Sequence, residues 1–163
     1  MKYSGIFLEM ARVFRRGTNI VILEIGVDIS ARSTRAFLKG LGMRRKKGTL
    51  YSIDIIDYEN RVKKTCGELS ENWVFLHGDS KDIEWDQNRL IDILFIDGDH
   101  HYPMVKADYE KYEPFVKKGG LILLHDVTTP PKRVLGVNRL YHEIKYPKII
   151  LNFDSMGLGI ITK

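Results

Sequence analysis

Apolar and polar residues along the chain alternate between two periods, and each switch marks the end of one element and the start of another. Over residues 5–16 the apolar positions Ile6, Phe7, Met10, Val13 and Phe14 recur at helical spacing and predict an amphipathic opening helix. A short apolar run at 20–25 predicts a strand, and a helix follows over 33–41. The same alternation gives a strand at 50–55, a helix over 58–69, and strands at 74–76 and 91–96. Pro103 suits the first turn of a helix that runs to about residue 116, with Lys118-Gly119-Gly120 as its stop. A strand at 121–124, a helix over 137–144 and strands at 148–153 and 158–162 complete the chain. The last two strands are joined only through Asp154-Ser155-Met156-Gly157.

Strands alternating with helices require right-handed crossovers and a mostly parallel sheet with helices on both faces. The predicted architecture is a three-layer αβα sandwich, Rossmann-like, with seven strands and a C-terminal antiparallel hairpin. Residues 1–163 read as a single domain, residues 1–17 being its N-terminal helix, with no repeat, low-complexity tract or linker. At 44% apolar and 29% charged residues the composition is that of a globular chain with one core. No apolar run approaches the roughly 20 residues that span a bilayer, so no membrane partner is expected. The N-terminus lacks a signal peptide's apolar block, and the single cysteine, Cys66, has no disulfide partner; both point to the cytoplasm. The net charge of +5 includes the run Arg44-Arg45-Lys46-Lys47. Without interleaved aromatic residues, this run reads as a solvated cationic helix end, and nucleic acid is not an expected partner.

The densest chemistry lies at residues 92–102, Asp-Ile-Leu-Phe-Ile-Asp-Gly-Asp-His-His-Tyr. A buried-type strand ends there in Asp97, Asp99, His100 and His101, with Gly98 providing the turn. Carboxyl ends of strands are where open α/β sheets bind ligands. Two earlier strands also end in polar tips, Ser52-Ile53-Asp54 and His77-Gly78-Asp79-Ser80, and the first ends in Leu23-Glu24-Ile25-Gly26 ahead of Ser33-Thr34. Taken singly, each tip is an ordinary strand-to-helix turn with a capping residue. Taken together, they suit one extended ligand, with Asp54 accepting from ribose hydroxyls.

In these motifs, with Phe95-Ile96-Asp97-Gly98-Asp99-His100, Tyr102, Asp108, Pro114, Lys118-Gly119-Gly120 and Leu124-His125-Asp126-Val127, the chain resembles class I S-adenosylmethionine-dependent methyltransferases. The resemblance is to the small-molecule O-methyltransferase-like group that also includes cephalosporin-hydroxylase-like proteins, and it covers residues 18–163. It implies S-adenosylmethionine as cofactor, with Glu24, Gly26 and Asp97 on the methionine side, Asp54 at the ribose, and Asp79 and Ser80 at the adenine edge. It also implies Asp97, His100 and His125 as catalytic residues. In metal-dependent relatives, the positions of Asp97, His125 and Asp126 bind a divalent cation. Here that set of two carboxylates and an imidazole suits Mn²⁺, Fe²⁺ or Zn²⁺ better than Mg²⁺. Asp97 instead hydrogen-bonding the cofactor's ammonium is the alternative.

The family's first turn usually carries a second glycine, whereas this chain has Val27-Asp28-Ile29-Ser30-Ala31-Arg32. The expected partner is a small-molecule methyl acceptor, met by short loops such as residues 128–133 or by a second copy of the chain. A binding module without catalysis and a metal-dependent hydroxylase-like enzyme are the competing readings. A dinucleotide dehydrogenase is disfavoured, because the phosphate-binding glycine series is missing.

Overall fold

The computed structural model describes residues 3–15, 17–128, 136–153 and 155–163. Its elements run α1 (Ser4–Val13), β1 (Val21–Ile25), α2 (Arg32–Gly42), β2 (Thr49–Asp54), α3 (Glu59–Cys66), β3 (Trp73–His77), β4 (Ile91–Ile96), α4 (Tyr102–Tyr112), β5 (Val116–His125), α5 (Gly136–Glu143), β6 (Lys148–Leu151) and β7 (Leu158–Thr162). A 3-10 turn follows α3 at Gly67–Asn72 and another follows α4 at Glu113–Phe115.

All seven strands join one sheet in the order β3-β2-β1-β4-β5-β7-β6. The first five are parallel, and β7 pairs antiparallel with both β5 and β6. The three-layer sandwich and its terminal hairpin are therefore as expected. Successive strand residues point to opposite faces, so each face buries its own core. Ile22, Leu50, Ile93, Phe95 and Leu123 pack with Phe7 and Phe37 beneath α1 and α2. Leu23, Ile53, Leu94, Ile96, Ile122 and Leu124 pack with Val105, Tyr112, Leu140 and Tyr141 beneath α4 and α5. Strand β4 is buried at all six positions, as a central strand covered on both faces must be.

Two sequence expectations change. Lys118-Gly119-Gly120 does not stop a helix. Helix α4 has already ended at Tyr112, and the three residues lie inside β5, in a bulge between the Ile91–Val116 and Ile93–Leu121 pairs. Arg44 is not solvated either, being only 8% exposed. Its guanidinium donates to the carbonyls of Ala11, Phe14 and Thr18 at 2.8 Å, and to those of Arg12, Arg15 and Lys46 at 3.0–3.3 Å. The planar five-donor fork satisfies the orphan carbonyls at the end of α1 and fixes that helix on α2. Gly40 brings the two helices close, since a Cβ there would stand 2.3 Å from the Leu8 carbonyl oxygen.

Arg44→Met should therefore lower stability by about 2–4 kcal/mol, read from the urea midpoint, because charge-assisted hydrogen bonds are lost and buried carbonyls are left unpaired. A loss below about 0.5 kcal/mol, the usual size for an exposed cation, would contradict this account.

Candidate active site

The strand order reverses between β1 and β4, and such a switch point opens a crevice at the carboxyl edge of the sheet. A cleft of about 460 Å³ occupies it, within the usual range for small-molecule sites. Gly26, at the tip of β1, has φ +93°, and a Cβ there would lie 2.4 Å from the Asp97 carbonyl oxygen. Only glycine fits that approach. Gly98 forms the expected bend just after β4, without a positive φ.

Gly26, Asp54, Asp79, Ser80 and Asp97 all line the cleft. Asp54 accepts from the Val27 amide at 2.6 Å and the Ile56 amide at 2.8 Å, which ties the β1–α2 turn to the tip of β2. Asp79 pairs with Lys81 at 3.2 Å. The Ser80 hydroxyl donates to Asp108, which also lines the cleft. Sequence reasoning gave Asp108 no role. The available signal was a carboxylate on the buried stripe of α4, between Val105 and Tyr112. Burial raises the Asp108 carboxyl above its ordinary value. Six aspartates (28, 54, 79, 97, 99 and 108) and a single lysine, Lys81, line this cleft, although the chain as a whole is cationic. In the altered first turn, Asp28 lines the cleft while Ile29 is 60% exposed and stays outside it.

Glu24 is the exception among the expected cofactor residues. It is completely buried behind the cleft, on the α2 face of β1, and accepts from Thr34 at 2.8 Å and Ser52 at 2.7 Å. Alternation along the strand explains this, because Glu24 shares the α2 face with Ile22 while Leu23 and Ile25 point to the other core. Burial pushes its carboxyl up to about 7, against the hydroxyl hydrogen bonds that oppose the shift.

Beside the cleft, Asp97, His100, His125 and Asp126 form a closed quartet. His125 Nδ1 lies 2.8 Å from Asp126 and 3.2 Å from Asp97; His100 reaches Asp126 at 3.1 Å and Asp97 at 3.4 Å. Asp126 turns back to meet them through a left-handed backbone at φ 65°, uncommon outside glycine. Hydrogen bonds to Asp126 and Asp97 raise the His100 imidazole to about 9. Burial alone would lower His125, yet the same two carboxylates carry it to about 10. Burial would raise Asp126, but the two imidazoles hold it well below the usual carboxylate range. His101 stands apart, exposed and bonded to Asp99 through both its amide and its ring. The resemblance's metal set is thus brought together, but its donors face one another at hydrogen-bond spacing. Among the described residues no group of three or more His, Cys, Asp or Glu is arranged to hold a metal ion.

Residues 23–127 match the profile of a family described as "Methyltransferase domain". The chain belongs to that methyltransferase family. Its sheet is shared with solved O-methyltransferases of low sequence identity. CalS11, a TDP-rhamnose 3'-O-methyltransferase of calicheamicin biosynthesis, is 18% identical with a TM-score of 0.74, covering 98% of this methyltransferase and 76% of that chain. An O-methyltransferase from Bacillus cereus, solved in complex with SAH, is 18% identical with a TM-score of 0.69, covering 99% and 80%. An uncharacterized protein of Acanthamoeba polyphaga mimivirus is 41% identical over 61 residues, 36% of this chain and 28% of its own. One of Sinorhizobium fredii is 33% identical over 76 residues, 46% of this chain and 8% of its own. No helix among the described residues is long and apolar enough to cross a membrane.

The buried Glu24 makes a pH prediction. Between its ordinary 4.5 and about 7 the folded chain holds a proton that the unfolded chain has released. Stability contributed at this site therefore falls as pH rises through that window and is level above it, a loss of roughly 3 kcal/mol. Glu24→Gln should remove the slope, gaining stability over the unsubstituted protein at pH 8 but not at pH 4.5 in urea titrations. An equal difference at both pH values would contradict the shift.

Proposed function

We propose that this methyltransferase binds S-adenosylmethionine in the acid-lined cleft and transfers its methyl group to an oxygen of a small molecule. The observation that carries this reading is the cleft's charge. Six carboxylates against one lysine favour a cationic ligand, here a sulfonium with an ammonium, and oppose the pyrophosphate of a dinucleotide. Family membership and the SAH complex of the Bacillus cereus neighbour support the same cofactor. In this reading Asp54 holds the ribose hydroxyls, Asp79 and Ser80 edge the adenine, and Gly26 with Asp97 meets the methionine end. Glu24 acts from behind, joining the start of α2 to β2 through Thr34 and Ser52.

In the transfer, the acceptor oxygen attacks the methyl carbon in line, and the sulfur leaves with the electron pair of the breaking bond. Positioning supplies most of the rate, since the sulfonium is already an activated donor. The acceptor's proton must depart, and His100, bordering the cleft through Asp97, is the group assigned to take it. Ringed by two carboxylates, that imidazole already holds a proton at neutral pH. It can take the acceptor's proton only in its neutral form, so turnover is expected to rise with pH up to about 9. His125 orients both carboxylates and is itself held by Tyr3, whose ring stands edge-on at 5.8 Å.

Calorimetry tests the cofactor assignment. S-adenosylhomocysteine should bind, and Asp54→Ala should weaken it about 10- to 100-fold, through the loss of charge-assisted hydrogen bonds to the ribose. No binding at millimolar concentration would sink the reading and favour a domain that uses the fold without the cofactor.

A further inference from the structure

Across the β1–α2 turn from the acid-lined cleft, the charge reverses. A second cavity, of about 320 Å³, lies between α1 and α2, with Ser4, Gly5 and Leu8 on one wall and Arg32, Arg35 and Lys39 on the other. Every exposed side chain of α2 is one of these three cations, the remaining exposed position being Gly42. Their spacing of three and then four residues places them on one ridge, about 10 Å long.

This arrangement costs the fold stability in two ways. Like charges one turn apart repel, and cations in the first turns of a helix oppose its dipole. The first turn of α2 carries no acidic residue to offset them. Some surface cations elsewhere have acidic partners, as in Arg12–Glu9, Lys63–Glu59 and Arg139–Glu143. Among the described residues none of the three groove cations has an acidic partner, and Arg32 bonds only the Ser30 hydroxyl, at 2.9 Å. An anion in the groove would remove both costs. Three cations, two of them planar forks, suit a phosphate group better than a single carboxylate, which one arginine would satisfy.

The groove also adjoins the reaction centre from both walls. Tyr3, next to the Ser4–Gly5 wall, packs edge-on against His125. Ser30, on the α2 side, is bonded to Asp28, which lines the cofactor cleft. We propose that this groove binds the phosphate groups of the methyl acceptor, so that the acceptor is a phosphorylated small molecule anchored on α2 with its hydroxyl beside the quartet. The proposal rests on the methyltransferase reading of the cleft and names the acceptor's chemical class.

Two arms test it. Inorganic pyrophosphate is titrated into the full chain and into Arg32→Ala/Arg35→Ala, each saturated with S-adenosylhomocysteine. The unsubstituted protein should bind it and the double variant at least about tenfold more weakly, with equal affinity for S-adenosylhomocysteine in the two proteins. Both positions are exposed, so the variant is expected to fold, and its melting temperature serves as the control. In the second arm, methyl-labelled S-adenosylmethionine is incubated with a pool of sugar phosphates and nucleotides, intact or first treated with alkaline phosphatase. Label should enter only the intact pool. Pyrophosphate binding that is absent, or the same in both proteins, overturns the site. Label in both pools equally, or in neither, overturns the acceptor class. Failure of S-adenosylhomocysteine to bind is read separately and overturns the cofactor assignment.

Discussion

The approach of Gly26 to the Asp97 carbonyl is the constraint on which the site depends. Here the paired strands β1 and β4 end side by side and the sheet reverses its strand order. The Asp97 amide donates to Ile25, the Gly26 amide to Ile53 and the Gly78 amide to Asp54, each at 2.8–2.9 Å. These bonds carry strand pairing one residue beyond the strands and hold four tips in fixed register. Any side chain at position 26 would drive β1 and β4 apart. Asp54, Asp79 and Asp97 would then lose their common geometry, even though none of them is altered.

On that frame the protein separates charge into three zones. The cleft gathers carboxylates, the α2 ridge gathers cations, and beside the cleft the quartet pairs two imidazoles with two carboxylates. At the opposite end of the sheet, the buried Asp92 is handled differently. It accepts from the Val21 amide at 2.9 Å and pairs with Lys117 at 2.7 Å and Arg15 at 3.4 Å. A fully buried charge must be paired in this way, and here the pairing closes the base of the sheet. The cleft's carboxylates, by contrast, lie at the carboxyl edge, where a ligand can balance them.

Much of the fold was legible because apolar runs and punctuating residues agree with the final packing. Strand β4 occupies the expected residues 91–96, and the terminal hairpin forms as the short link required. The misreadings share one cause, which is that a polar residue in sequence looks solvent-facing. Arg44 sits in a run of four cations, yet it is drawn inward by carbonyls from a helix some thirty residues earlier. Lys118-Gly119-Gly120 look like a helix stop, but they lie in a bulge within β5 while its flanks stay paired. Glu24 looks like a ligand group at a strand tip, and strand alternation turns it inward. In the site, the acidic tips were visible one by one. The grouping of Asp97 with His125 and Asp126 was also expected, and only the specific contact of His100 with Asp126, 26 positions apart, was not, because it depends on the left-handed backbone at Asp126. Of the loop proposed as an acceptor rim, residues 128–133, all but Thr128 fall outside the described residues, Pro130-Pro131 included, as does Asp154 of the hairpin link.

The central claim is that the acid-lined cleft at the β1/β4 switch point is a cofactor site. A crystal structure of the chain grown with S-adenosylhomocysteine tests it most directly. The account predicts the ribose hydroxyls on Asp54, the adenine beside Asp79 and Ser80, and the amino-acid end between Gly26 and Asp97. The ligand bound elsewhere, or a cleft still empty at saturating concentration, would contradict it.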